Sequence, residues 1–240
     1  MAFRRVLDEA ALRAAARRRA KRAFRGLFQF MIALGLLLFV PAWSLEYWQA
    51  WVLLVLVGVS CLVITLYLLK HDPALVERRM EVGPVAEQDQ TQRRIQTVAS
   101  VLSCALLVVP ALDHRLHWSH VPLWAVILGD AVLALGFLLA FFVFRENSHA
   151  AGTVKVEAGQ KVITTGPYRV IRHPFYAATV LTFLAIPLAL GSWWGLAVSL
   201  LILIVLAIRL IHEERFLSEH LEGYAAYCRE VRYRIIPMVW

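Results

Sequence analysis

Of 240 residues, 60% are hydrophobic and only 18% charged, with a mean hydropathy of +0.64. An ordinary soluble domain is roughly 45–50% apolar, so that class is excluded. The net charge of +8 gathers in clusters beside apolar runs, which points to anionic lipid headgroups as the counter-surface rather than to nucleic acid.

Residues 1–26 carry nine Lys/Arg on an alanine-rich background. This composition favours a retained basic helix on the membrane surface and not a signal peptide, since no A-x-A site follows the first apolar run. Six apolar stretches come next, at 27–45, 50–69, 97–112, 121–144, 174–190 and 193–211. Crossing a bilayer takes about 20 residues. The third stretch is short and contains Pro110, so it is expected to be the weakest span, with a re-entrant or buried segment as its alternative.

If the N-terminus lies inside, the inner segments hold 24 of the 25 Lys/Arg and the outer loops hold only Arg115, as the positive-inside rule requires. The expected fold is therefore an all-α integral membrane protein of about six transmembrane helices in the inner or plasma membrane. Both ends face the cytoplasm, as do a loop between helices 4 and 5 and a C-terminal helix. The chain divides into the basic segment 1–26, helices 1–4 over 27–144, and a polar-rich region over 145–240.

Cys61, Cys104 and Cys228 form no CxxC pair, so neither a disulfide framework nor a zinc site is indicated. His114, His117 and His120 recur at every third residue of an outer loop without a carboxylate or cysteine cluster, and are expected to pack at the interface, not to bind metal. Asp130 sits about ten residues into the fourth stretch. A charge at that depth costs about 2.5–3.5 kcal/mol, so it is expected to face the bundle and find a partner.

The most unusual stretch is 145–176, RENSHAAGTVKVEAGQKVITTGPYRVIRHPFY. Short extended pieces at 154–156 and 162–164 would flank a turn at Gly159, and Gly166-Pro167 marks a second turn. Arg172-His173-Pro174 precedes an apolar run, with Pro174 suited to the first helical position and His173 to its cap. Free N–H groups at such a helix start suit an anionic ligand group. Downstream, Arg209 and Glu213 share a helix face at i,i+4, and Glu214 follows. Two polar clusters thus flank one helical hairpin at its inner end.

These residues resemble the isoprenylcysteine carboxyl methyltransferases and their bacterial relatives, which include small-thiol and phospholipid methyltransferases. The resemblance rests on Gly166-Pro167-Tyr168, Arg172-His173-Pro174-Phe175-Tyr176, Arg209 with Glu213-Glu214, Gly223-Tyr224-Ala225-Ala226-Tyr227, and the ending 231–237. It implies an S-adenosylmethionine pocket formed by the inner loop and its two flanking helices. No G-x-G-x-x-G after a strand signals a Rossmann domain. By motif position, the cofactor set would be Thr153, Gln160, Lys161, Val162, Ile163, Tyr168, His173, Pro174, Phe175, Tyr176 and Glu213. Arg209 falls at a substrate-side position. Position 160 is Gln where the eukaryotic members have His.

Further implied, Arg172 and His173 at the helix start would take the cofactor carboxylate, while Glu213 or Glu214 would pair with its positive groups. The acceptor would be lipophilic and enter from the bilayer between helices 4, 5 and 6. Carboxyl O-methylation of the isoprenylcysteine type leads, with S-methylation of a small thiol or N-methylation of a phospholipid amine as alternatives. Outside this class, the chain could be a non-catalytic protein that binds anionic lipid, or a transporter with Asp130 and Arg209 on a polar path. Six spans without repeated halves weaken the transporter reading.

Overall fold

The computed structural model describes residues 2–80, 89–150, 156 and 159–240, with side chains from Leu12 onward. Its elements are α1 (Ala2–Ala42), α2 (Trp48–His71), α3 (Pro73–Met80), α4 (Gln90–Leu116), α5 (Leu123–Glu146), α6 (Pro174–Ala189), α7 (Trp194–His220) and α8 (Tyr224–Glu230), with a 3-10 turn at Gly166–Arg169. No strand occurs among the described residues. Residues 162–164 have no regular structure, and the expected extended piece at 154–156 lies mostly outside the described residues. The fold is that of an all-α integral membrane protein.

Among the described residues five helices are long and apolar enough to cross a membrane: α1 from Leu12, α2, α4, α5 and α7. The expected basic segment and first span are one continuous helix, without a break at residue 26. The third span is not the short one. α4 gains two polar turns at its start, where the Asp89 carboxylate caps it by accepting from Gln92 N at 2.7 Å. It thereby reaches 27 residues. The short element is α6, with 16 residues, or about 24 Å at the helical rise, against a hydrocarbon core of about 30 Å. Pro174 fixes its start, and Gly191, at φ +71°, turns the chain just beyond its end.

α5 and α6 form the tightest pair, because small residues on α5 let the backbones approach. A Cβ on Gly129 would stand 2.4 Å from the backbone nitrogen of Ala189. At Gly136 it would stand 2.7 Å from Thr182 Oγ1, a side-chain atom. Gly129→Ala is therefore expected to destabilise the protein more than Gly136→Ala, at the low end of the roughly 1–3 kcal/mol typical of overpacking. Thermal unfolding in detergent checks this; equal midpoints would contradict the packing.

The three connections read as outer loops meet at one end. Tyr47 donates its hydroxyl to Leu190 O at 2.6 Å. Buried Asp113 accepts from Ser192 Oγ at 2.5 Å, from Ser119 N at 2.8 Å and from the Ser119 hydroxyl. His114 stacks on Tyr47 with ring centroids 4.0 Å apart. Among the described residues no group of His, Cys, Asp and Glu could hold a metal ion. Asp130 departs from expectation: one carboxylate oxygen is enclosed, yet it has no partner among the described residues. At the opposite, basic end lie α3, the described residues of the 145–173 connection, α8 and the C-terminal tail.

Candidate active site

At the basic end a cleft of about 840 Å³ opens between residues 147–150 and 160–163, the start of α6, the end of α7 and α8. Of the expected cofactor set, Gln160, Lys161, Val162, Ile163, Tyr168, His173, Phe175, Tyr176 and Glu213 line it. Pro174 is buried at the first position of α6 behind it. Thr153 lies outside the described residues.

Local sequence explains these positions. Pro174 starts α6 straight after His173, which turns Phe175 and Tyr176 into the cleft. Gly166, at φ +55°, begins the 3-10 turn that carries Tyr168. The Tyr168 hydroxyl accepts from Asn147 Nδ2 at 2.8 Å, and its burial pushes the phenol up to about 12. It is a neutral hydroxyl at any physiological pH.

Glu213 and Glu214 are neighbours on α7 with different surroundings. Glu213 turns into the cleft, where Oε2 accepts from the Tyr176 hydroxyl at 2.6 Å. Glu214 is buried behind it. It accepts from Arg172 Nη1 at 2.9 Å and Arg234 Nε at 2.7 Å, with His173 Nε2 at 3.2 Å. Successive helix residues lie about 100° apart, so one carboxylate meets the cleft and the other meets the tail.

Arg172 lines the cleft, but its guanidinium is spent on the tail. Beyond Glu214 it donates to Val231 O at 2.7 Å, Arg232 O at 2.9 Å and Cys228 O at 3.3 Å. The backbone N–H groups of Arg172 and His173 donate to Tyr233 O and Arg234 O, both at 2.9 Å. Arg172, His173, Glu214 and Arg234 thus clamp the C-terminal tail under the cleft. Arg209 is buried below, beside the Tyr176 hydroxyl, and donates to Gln96 of α4.

The sequence reading left out Asn147, His149, Ala150, Leu217, Leu221, Tyr224 and Tyr227, which also line the cleft. Tyr224 and Tyr227 stood in the motif that carries the resemblance without being assigned to the pocket. The Tyr227 hydroxyl donates to Tyr168 O at 2.8 Å, and burial raises both phenols well above their ordinary range. They fasten α8 to the loop as a wall of neutral aromatic rings.

Among the described residues, apolar side chains, neutral hydroxyls and one carboxylate that faces the opening suit a ligand with a flat ring and a cationic group. S-adenosylmethionine has both. A second hollow, about 1870 Å³, lies between α1, α2, α3, α5 and α6, of which α5 and α6 are the fourth and fifth of the expected spans.

Among curated proteins none matches the chain. The phospholipid methyltransferase family model matches residues 124–223, which run from the start of α5 to the start of α8 and so contain most of the cleft. That family uses S-adenosylmethionine as methyl donor. The match takes in 100 of the 240 residues; over them the chain is similar to the phospholipid methyltransferases, and the match supports a membrane methyltransferase.

Proposed function

We propose that the cleft at the basic end binds S-adenosylmethionine and that the protein methylates the carboxylate of a lipophilic acceptor. The observation that carries this reading is the division of the two glutamates, which leaves Glu213 as the carboxylate exposed to the cleft. Bound there, S-adenosylmethionine supplies an electrophilic methyl group on a sulfonium.

In this arrangement Glu213 holds the cationic end of the cofactor, with the Tyr176 hydroxyl fixing its orientation. Val162, Ile163 and Tyr168 face the adenine, and the start of α6 offers N–H groups to its carboxylate. Catalysis rests on positioning and on the exclusion of water. A carboxylate acceptor attacks as an anion and needs no proton removed. His173 fits that requirement, because its Nε2 lies on Glu214 and 3.4 Å from the Tyr224 hydroxyl and is not placed as a free base.

The matched family favours a second reading, N-methylation of a phospholipid amine. There a proton must leave the amine, and Glu213 is the group in reach of the cleft. Incubation of the purified protein with methyl-labelled S-adenosylmethionine and a membrane lipid extract separates the two. A methyl ester releases labelled methanol in mild alkali, and this is the expected result. An alkali-stable product would overturn the carboxylate reading in favour of methylation at nitrogen or sulfur, and label in a phospholipid headgroup would establish the amine.

The cytoplasmic placement of the cleft rests on the charge division. In a cysteine-free variant, single cysteines at Glu46, His117 and Trp194 should react with an impermeant reagent applied from outside, and one at Gly159 should not. All four are exposed positions. Labelling at Gly159 from outside would put the cleft on the other face.

A further inference from the structure

The larger hollow is an apolar trench whose walls include Leu27, Phe30, Ile64, Leu68, Phe137 and Phe183. Thr179 and Thr182 also line it, but their hydroxyls donate to carbonyls one turn back on α6, Phe175 O and Ala178 O, both at 2.9 Å. At its basic end the lining contains Arg22, Arg25 and Arg79 and, among the described residues, no Asp or Glu.

Arg79 stands apart from the other two. Its guanidinium lies 4.7 Å from the ring centre of Phe144 and 4.9 Å from that of Phe175. It donates Nη1 to Ala150 O at 3.4 Å and forms no ion pair with a described residue. Phe175 and Ala150 also line the cofactor cleft, so this cation stands at the partition between trench and cleft. Burial pulls it down to about 10, and it stays charged at neutral pH. A partly desolvated cation with most of its five donors uncommitted is a poor structural element and a good anion receptor. Ring contacts fix its plane, and a planar fork suits a carboxylate or a phosphate.

Building on the methyltransferase reading, we propose that the trench seats a single-chain amphiphile and that Arg79 holds its anionic head beside the cleft. Arg79 is then a substrate-positioning residue that selects acceptors bearing a carboxylate or phosphate. The apolar tail lies along α1, α2, α5 and α6, and Arg22 and Arg25 draw anionic molecules to the mouth.

The test uses the full chain in detergent with three labelled probes, oleate, oleyl phosphate and oleyl alcohol, and measures S-adenosylmethionine affinity on the same samples. The wild type is expected to bind at least one anionic probe about tenfold or more tightly than the alcohol. Preference for oleate identifies a carboxylate as the recognised group, and preference for oleyl phosphate a phosphate. Arg79→Gln should bring all three within about twofold of one another, Arg79→Lys should keep part of the preference, and cofactor affinity should change less than about threefold. Equal binding of the alcohol and both anions by the wild type overturns the proposal without any variant. So does a preference that survives in folded Arg79→Gln. If the anion preference depends on Arg79 but S-adenosylmethionine does not bind, the head-group site stands and the methyltransferase reading falls.

Discussion

Glu214→Ala is expected to be among the most damaging single substitutions in this protein, and to damage it through folding. The side chain is buried and joins Arg172, Arg234 and His173, and Arg172 in turn holds one carbonyl of α8 and two of the tail. Its removal leaves two guanidiniums facing each other with no anion between them. Breaking a buried pair in this way costs about 3–5 kcal/mol, or a fall in melting temperature on the order of 10 °C for a chain of this size. Thermal unfolding in detergent and proteolysis of the tail after α8 report it together. A stable Glu214→Ala protein with an intact tail that has lost only S-adenosylmethionine would make Glu214 a ligand and not a clamp.

Glu213→Gln should behave in the opposite way. Its carboxylate faces the cleft and accepts from the Tyr176 hydroxyl, a contact that an amide oxygen reproduces. Stability should change little. The charge offered to a cationic ligand disappears, and a charge-assisted hydrogen bond is worth roughly 1.5–3 kcal/mol, so S-adenosylmethionine should bind roughly 10- to 150-fold more weakly. Arg209→Met is the matched control on the same face of α7. Arg209 lies below the cleft, donates to Gln96 and is not part of the lining, so cofactor affinity should stay within about threefold, or roughly 0.65 kcal/mol, while turnover falls or the acceptor KM rises. Because Arg209 is buried, folding is measured first for each variant. If folded Arg209→Met loses the cofactor as badly as Glu213→Gln, Arg209 is itself a cofactor ligand or sets the position of Tyr176.

The contrast between these two glutamates shows where sequence reading stops. Hydropathy and charge made the membrane class legible, because 20 apolar residues bounded by arginines have few other structures open to them. The cleft residues from 160 to 176 were legible through their motif. What distinguishes Glu213 from Glu214 is the partner of the second, and that partner comes from Arg172 and Arg234, which lie 42 and 20 residues away. No local pattern records such a contact. The length of α4 was misjudged for a similar reason. Its first two turns are polar, and Gln92 there is buried by tertiary packing that hydropathy does not see. The extent of α6 was legible, since Pro174 and Gly191 bracket the run at 174–190 and the helix is Pro174–Ala189. Arg79 was counted only as one of many inner positive charges; its flanking rings, Phe144 and Phe175, come from α5 and α6.

The proposed activity is binding of S-adenosylmethionine in the cleft at the end of α7 and transfer of its methyl group to a lipophilic acceptor. Its most direct test is equilibrium binding of methyl-labelled S-adenosylmethionine to the purified full-length protein, in parallel with Glu213→Gln, followed by extraction with organic solvent. Saturable binding that weakens at least tenfold in the folded variant, with label passing into the organic phase, is the expected result. Absence of saturable binding to folded wild-type protein, or binding that Glu213→Gln leaves untouched, would contradict it.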